Sequence, residues 1–193
     1  MKRVIVSMWS TLDGFVAGPN DEMDWLSVDD EMFAYEIDLV TNAGSLLLGR
    51  ITHGDFASSW PEVAQDTGAD ENQRTYARRV DAMDKVVASK RGNTANWKNT
   101  HRLADLDRAT ITALKQQPGG DVVIYGSLSV VNALEAMGMI DEFHLLIHPR
   151  FLQGGKALFS GDQPRSMELL SAETFHSGGV LAKYRPAPGS EGR

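Results

Sequence analysis

The sequence has no cysteine among its 193 residues. The chain therefore forms no disulfide and offers no thiolate ligand to a metal ion, which suits a reducing compartment, and we expect a cytoplasmic protein. Long apolar runs are also missing, so we expect no membrane span. The apolar run near the N-terminus meets Asp13 and Gly14 too early for the core of a signal peptide, and it is predicted to be a strand.

Positive charge is scarce in this sequence. The 26 acidic residues outnumber the 19 basic ones, and the net charge is −7. A surface of this kind suits neither nucleic acid nor an anionic membrane as a partner, so any anion site has to be a local pocket. We therefore expect a small molecule as the partner.

Three short signatures of enzyme chemistry are absent: GxGxxG, GxSxG and HExxH. Without GxGxxG after a predicted strand, a nucleotide is not held by the usual Rossmann fingerprint. His144 and His148 are four residues apart, but the segment HLLIH is typical of a strand. We predict no metal site.

Length and apolar content predict a single domain over residues 1–185. A chain of 193 residues fits one domain, and 42% hydrophobic residues supply a sizeable core. The last residues, 186–193, read PAPGSEGR and have the composition of a flexible tail.

Apolar runs and helical spacing alternate along the first two-thirds of the chain. We predict strands over residues 3–8, 45–49, 84–88, 121–125, 141–147, 167–175 and 179–185, and helices over 28–41, 70–80, 105–117 and 127–137. Ser27, with Asp30 three residues later, is the predicted N-cap of the first helix. This order predicts an α/β sheet that ends in antiparallel strands.

The segment VVIYGSLSVV, residues 122–131, joins a buried strand directly to a helix. Gly126 ends the strand, and the helix begins near Ser127 or Ser129. The first N–H groups and the dipole of a helix favour an anion, and a residue without Cβ lets a phosphate come close to the backbone. The alternative is a tight turn in which a serine only caps the helix.

A second strand end carries similar residues. In SLLLGRITHGDF, residues 45–56, Gly49 ends an apolar strand and is followed by Arg50 and Thr52. The guanidinium offers a planar fork of donors that suits phosphate, although such an arginine is often only a solvated loop residue. Because ligands gather at the carboxyl ends of strands in open α/β sheets, we predict that both strand ends share one extended ligand.

A third strand end is basic. The segment DKVVASKRGN, residues 84–93, places Ser89, Lys90 and Arg91 directly after a strand. These residues suit the additional phosphate on the adenosine ribose of a phosphorylated dinucleotide. The alternative is a solvated basic turn.

Together these motifs resemble a known family. The segments STLDGFVAG, DWL, LLLGRIT and IYGS, and above all IDEFHLLIHPRFLQGGKALF at residues 140–159, are similar to the dihydrofolate reductase fold. Within that fold they resemble the C-terminal reductase domain of the riboflavin-biosynthesis enzyme RibD. The resemblance covers residues 3–185 and implies a homodimer and a three-layer α/β fold with a central mixed, mainly parallel sheet.

The resemblance also implies an NADPH-dependent reductase that acts on a small, heterocyclic substrate. The segment from Met8 to Ala17 faces the nicotinamide, and Met8 and Trp25 lie on the substrate side. The implied cofactor-binding residues are Ala17, Gly49, Arg50, Thr52, Ser89, Lys90, Arg91, Gly126, Ser127, Leu128 and Ser129. The alternatives are a catalytically silent nucleotide-binding or dimerisation module and a flavin or deazaflavin reductase.

Such a reductase needs a proton source for the substrate atom that receives no hydride. In dihydrofolate reductases an acidic residue on the first helix has this role, so Asp30 and Glu31 are the candidates here. The alternative for both residues is favourable placement of negative charge at a helix N-terminus.

Overall fold

The computed structural model describes residues 1–160 and 164–188. Ten strands occur in this part of the chain: β1 Val4–Thr11, β2 Phe15–Ala17, β3 Ala43–Gly49, β4 Asp84–Ala88, β5 Thr100–Leu103, β6 Asp121–Tyr125, β7 Glu142–His148, β8 Lys156–Ala157, β9 Met167–Thr174 and β10 Val180–Pro186. Five helices occur there: α1 Asp30–Asn42, α2 Arg50–Val63, α3 Glu71–Ala82, α4 Arg108–Gln116 and α5 Leu128–Ala136.

Eight of the strands form one sheet in the order β5-β4-β3-β6-β1-β7-β10-β9. The central strand β1 is parallel to both β6 and β7, and β3 is parallel to β4 and β6. By contrast, β10 is antiparallel to β7 and β9. The prediction of a mixed, mainly parallel sheet with antiparallel C-terminal strands is therefore confirmed.

Helices cover both faces of this sheet. Successive side chains of a strand point to opposite faces, so Val4 and Val6 join one apolar core and Ile5 joins the other. The first core also contains apolar residues of α4 and α5, whereas the second contains residues of α1 and α3 and contacts α2. These layers place the carboxyl ends of β3, β4 and β6 along one edge of the molecule.

The predicted strands and helices all occur, with shifts at their ends. Four elements were not predicted from the sequence: the short strands β2, β5 and β8, and the helix α2. Gly54 and Pro61 weaken the helical pattern of α2. Packing of Phe56 and Trp60 against the second core stabilises the helix instead.

The prediction of Ser27 as the N-cap of α1 is wrong. Asp29 is the N-cap, because its Oδ1 accepts a hydrogen bond from the Met32 N–H at 2.9 Å. The other oxygen of Asp29 accepts from the Ser177 N–H at 2.7 Å. This second bond links the start of α1 to the turn between β9 and β10 and favours Asp29 over Ser27.

The ordered sheet extends slightly beyond the predicted domain boundary at residue 185, because β10 ends at Pro186. Residues 189–193 of the predicted tail lie outside the described residues. Over residues 1–160 and 164–188, no helix combines the length and the apolar character that crossing a membrane requires.

Candidate active site

Two neighbouring strand ends are joined by the side chains that follow them. The strands β3 and β6 are adjacent and parallel, and they end at Gly49 and Tyr125. The Gly49 N–H donates to the Ser127 Oγ at 2.8 Å, and the Ser127 N–H donates to the Thr52 Oγ1 at 3.1 Å. The Gly-Arg-x-Thr and Gly-Ser motifs therefore meet at one edge of the sheet.

The Gly-Ser pair turns the chain through two left-handed residues. Gly126 and Ser127 both have φ of 51°. A Cβ at Gly126 would also lie 3.2 Å from the Thr52 side chain, so a larger residue is unfavourable there for two reasons. Ser127 does not cap α5 with its hydroxyl. Its Oγ binds Gly49 instead, so the turn joins two strand ends rather than stabilising one helix.

Two helix N-termini open on the space beside this turn. The helix α2 begins after Gly49 and α5 begins after Ser127, and neither N-cap residue gives its helix a side-chain hydrogen bond. The first N–H groups of a helix have no partner within the helix and favour an anion. Arg50 lines the same space and has no ion-pair partner among residues 1–160 and 164–188.

A cavity of about 870 Å³ extends from these helix ends to β1 and α1. Aromatic rings form one of its walls, where Trp60 packs against Tyr76 with 4.8 Å between ring centroids. The residues that line the cavity are Ser7, Met8, Trp9, Val16, Ala17, Asp21, Met23, Leu26, Phe33, Glu36, Gly49, Arg50, Ile51, Thr52, Asp55, Phe56, Trp60, Tyr76, Ala88, Tyr125, Gly126, Ser127, Leu128, Ser129 and Lys156. An aromatic wall with a few polar groups suits a flat ring system.

Glu36 is the buried acid of this cavity. It lies in α1, and only 3% of it is exposed. Its Oε1 accepts from the Trp9 Nε1–H at 2.8 Å and lies 3.5 Å from the Ser7 Oγ, while its Oε2 accepts from the Tyr125 hydroxyl at 2.6 Å. Burial raises the pKa of Glu36 to about 7, and these hydrogen bonds only partly oppose the rise.

Two phenols near Glu36 stay protonated at neutral pH. Burial, together with the negative charge of Glu36, raises the pKa of Tyr76 and of Tyr125 well above 10. Tyr125 therefore remains a hydrogen-bond donor to Glu36, whether the Glu36 carboxyl group is protonated or ionised. A carboxyl group with a pKa near 7 is able both to give and to accept a proton at neutral pH.

Most predicted site residues lie in this cavity. Those that line it are Met8, Ala17, Gly49, Arg50, Thr52, Gly126, Ser127, Leu128 and Ser129. Ser89, Lys90 and Arg91 follow the lining residue Ala88 at the end of β4, which pairs with β3. All three predicted phosphate motifs thus lie along one edge of the sheet.

Besides Ser89, Lys90 and Arg91, three other predicted residues do not line the cavity. Asp30 and Glu31 occupy the first turn of α1, where Glu31 lies 2.9 Å from the His176 Nδ1. Trp25 is buried with its ring 5.3 Å from that of His148. The structure thus places Asp30, Glu31 and Trp25 outside the cavity, whereas Glu36, Trp9 and Trp60 line it.

Sequence reasoning missed Glu36, although its spacing carried a signal. The buried residues of α1 are Met32, Glu36, Leu39 and Val40. This spacing places Glu36 in the middle of the apolar face of the helix. A buried carboxyl group is costly, and it is a candidate for function when its pKa is perturbed inside a cleft.

His144 and His148 lie on β7 rather than on a helix, and both are buried. The His148 Nδ1 accepts from the Ser27 N–H at 3.5 Å, and His144 contacts Tyr35 and Glu142. Within the described residues, no group of three or more His, Asp or Glu side chains is suited to hold a metal ion.

A sequence profile of the RibD C-terminal domain matches residues 2–181. The chain belongs to the RibD C-terminal domain family. The chain is similar to the uncharacterized protein YyaP of Bacillus subtilis (strain 168). The two are 29% identical over 188 residues, which is 95% of this chain and 94% of YyaP.

Solved structures show the same fold. One is the diaminohydroxyphosphoribosylaminopyrimidine deaminase/5-amino-6-(5-phosphoribosylamino)uracil reductase of Thermotoga maritima, with a TM-score of 0.66, 14% identity, and coverage of 96% of this chain and 57% of that one. Another is the dihydrofolate reductase of Enterococcus faecalis complexed with NADP(H) and RAB-propyl, with a TM-score of 0.62, 14% identity, and coverage of 95% and 96%. This member of the RibD C-terminal domain family therefore has a dihydrofolate reductase-like fold.

Proposed function

We propose that the protein is an NADPH-dependent reductase of the RibD C-terminal type that transfers hydride to a small heterocyclic substrate. Family membership and the fold shared with reductases support an oxidoreductase. The observation that carries the proposal is the single cavity that joins Arg50 and two uncapped helix ends to the buried acid Glu36. The end of the cavity at Arg50 suits an anionic cofactor, and the end at Glu36 suits a proton transfer.

The residues at the sheet edge fit the phosphates of NADPH. Gly126 carries no side chain beside Thr52, so a phosphate has access to its backbone. Arg50 adds a positive charge on the cavity side. Lys90 and Arg91 lie further along the same edge, after β4, and are assigned to the additional phosphate on the ribose of NADPH.

NADPH supplies the hydride, and the side chains supply position and a proton. The aromatic wall around Trp60 and Tyr76 excludes water and holds a flat ring. Glu36, with a pKa of about 7, holds a proton at its carboxyl group for the substrate atom that receives no hydride. Trp9 and Tyr125 fix the orientation of that carboxyl group through their hydrogen bonds.

Calorimetric titration of the wild type with NADPH and with NADH tests the cofactor assignment. Replacing Lys90 and Arg91 together by alanine should weaken NADPH about ten- to hundredfold for each lost contact and leave NADH nearly unchanged. Arg50→Ala should weaken both cofactors. The matched control is Arg78→Ala with Arg79→Ala, which removes the same charge from exposed positions of α3. Equal affinity of the wild type for both cofactors would contradict the role of Lys90 and Arg91.

Turnover tests the reductase itself. Pterins, pyrimidine ribosylamines and quinone-like acceptors are offered with NADPH, and the loss of reduced nicotinamide is followed by absorbance. Glu36→Gln should lower kcat and leave NADPH binding in place, because the amide keeps the shape of the carboxyl group without its proton. Tight NADPH binding with no turnover of any acceptor would indicate a silent nucleotide-binding module. A yellow purified protein would indicate a flavin enzyme.

A further inference from the structure

The edge strand β5 brings an arginine to the end of β4. The two strands are parallel neighbours, so they end at the same edge of the sheet, at Leu103 and Ala88. Arg102 is the last residue but one of β5, and it is exposed. Arg102 therefore stands at the edge where β3, β4 and β6 end, which is the edge assigned to the cofactor phosphates.

Arg102 is fastened to the turn that follows β4. Ser89, Lys90 and Arg91, here called the basic turn, begin directly after this strand. The Arg102 guanidinium donates from Nη1 to the Ser89 carbonyl oxygen at 3.0 Å. This carbonyl group belongs to the peptide bond between Ser89 and Lys90. The guanidinium of Arg102 thus lies against the basic turn itself.

Two further hydrogen bonds shape the basic turn. The Ser89 N–H donates to the Leu103 carbonyl oxygen at 3.0 Å, and the Ser89 Oγ donates to the Arg91 carbonyl oxygen at 2.9 Å. The first bond extends the pairing of β4 with β5, and the second closes the turn on itself. The basic turn and Arg102 are therefore held together before any ligand binds, which lowers the entropic cost of binding.

The far end of the connection between β4 and β5, residues 89–99, is anchored in the second core. The Trp97 Nε1–H donates to the Asp81 Oδ1 at 2.8 Å, and the Trp97 ring centroid lies 4.0 Å from the Lys85 Nζ. Lys85 is fully buried and donates to the carbonyl oxygens of Asp81 and Met83 at 2.7 and 2.9 Å. The connection that carries the basic turn is therefore fixed at both of its ends.

The cations gathered at this turn have no counter-charge. Lys90, Arg91 and Arg102 form no ion pair with any of residues 1–160 and 164–188. Neighbouring like charges repel each other, so this arrangement does not stabilise the fold. A phosphate ester would relieve the repulsion and would accept charge-assisted hydrogen bonds from the guanidinium groups.

We infer that Arg102 binds the additional phosphate on the adenosine ribose of NADPH, together with Lys90 and Arg91, and helps to select NADPH over NADH. The inference rests on the proposed function, which assigns this phosphate to the basic turn. The Arg102 guanidinium uses one N–H group on the Ser89 carbonyl oxygen and keeps the others for phosphate oxygens. The bond to Ser89 also fixes the peptide group that precedes Lys90.

Two ligands that differ only in this phosphate test the role of Arg102. Adenosine 2′,5′-bisphosphate and adenosine 5′-monophosphate are titrated into the wild type by calorimetry, and the bisphosphate should bind more tightly. Arg102→Gln should reduce this preference about tenfold, because it removes one charge-assisted contact, and should leave binding of the monophosphate nearly unchanged. The matched control Arg79→Gln removes the same charge from an exposed position of α3 and should keep the wild-type preference.

A second variant and the salt concentration separate contact with the phosphate from an effect on the fold. Arg102→Lys keeps the positive charge but lacks the planar fork, so it should retain part of the preference. In Arg102→Gln, the affinity for the bisphosphate should fall less steeply with added salt than in the wild type, because one charge fewer is screened. Equal weakening of both ligands in Arg102→Gln would indicate a structural effect and would overturn the inference.

The result does not depend on turnover, because neither ligand contains nicotinamide. A wild-type preference for the bisphosphate that persists in Arg102→Gln would overturn the role of Arg102 and leave the reductase proposal in place. Equal affinity of the wild type for both ligands would overturn the roles of Arg102 and of the basic turn together. A preference that depends on Arg102, without turnover of any acceptor, would contradict the reductase proposal alone.

Discussion

A carboxyl group among aromatic rings weakens the fold once it is ionised, and Glu36 is such a group. Its pKa is raised from 4.5 to about 7 in the folded protein. The folded state therefore binds this proton more tightly than the unfolded state does. The stabilisation of the folded state by this tighter proton binding is fully present below pH 4.5 and is lost as the pH rises through about 7.

The variant Glu36→Gln should remove this pH dependence. Between pH 4.5 and pH values above about 7, the wild type should lose up to about 3 kcal/mol of its free energy of unfolding through Glu36. The neutral amide has no such loss, so the variant should be the more stable protein at alkaline pH. Urea unfolding at a series of pH values measures the difference. Asp38→Asn, which removes a charge from the exposed face of the same helix, should retain the wild-type slope.

The difference between Asp30 and Glu36 shows where sequence reasoning stops. Motifs predicted the residues around Gly49 and Gly126 because a glycine after an apolar strand has a local cause. The choice among the acids of α1 depends instead on which face of the helix meets the sheet. That choice follows from packing against Trp9 and Tyr125, which are distant from α1 in the chain.

The start of α1 is stabilised by Asp29, and its removal should be measurable. Asp29→Ala loses the bond to the Met32 N–H and the bond to the Ser177 N–H, so we expect a loss of about 2 kcal/mol in the free energy of unfolding. Ser27→Ala should leave stability unchanged, because no hydrogen bond of the Ser27 hydroxyl occurs among the described residues. Chemical denaturation of both variants checks the prediction; equal stabilities would contradict the assignment of the cap.

The difference in stability between the wild type and Asp29→Ala should depend on pH. Burial acts to raise the pKa of Asp29, but hydrogen bonds from Met32 and Ser177 lower it on balance. The stabilisation by Asp29 is therefore present above the ordinary pKa of 3.8 and is lost as the pH falls through the lower folded value. The stability difference between wild type and Asp29→Ala should accordingly narrow in strong acid.

Elements with their own apolar pattern were predicted, and elements that depend on neighbours were not. Val122 to Tyr125 form an apolar run, and β6 has the predicted bounds. By contrast, β5 reads THRL, and its side chains are largely exposed, so only pairing with β4 defines it. The strands β2 and β8 are three and two residues long, and within residues 1–160 and 164–188 they pair only with each other.

The sheet has an edge at β9 that suits a second copy of the chain. Most residues of this strand are exposed, including Leu169 at 53% and Leu170 at 41%. Exposed apolar edge strands favour association, and we expect a homodimer. Light scattering should give twice the 21.2 kDa of one chain. Leu169→Lys with Leu170→Lys should give a single-chain mass, whereas Leu12→Lys, an exposed leucine outside β9, should not. A single-chain mass for the wild type would contradict the expectation.

The order of the strands also determines how long the first strand stays without partners during synthesis. The central strand β1 leaves the ribosome well before its neighbours β6 and β7, which end at Tyr125 and His148. At the usual speed of translation, the interval between Thr11 and His148 is on the order of 10 s. Throughout that interval the apolar side chains of β1 remain available to chaperones and to other nascent chains, so the centre of the finished sheet is its most vulnerable part while the protein is being made.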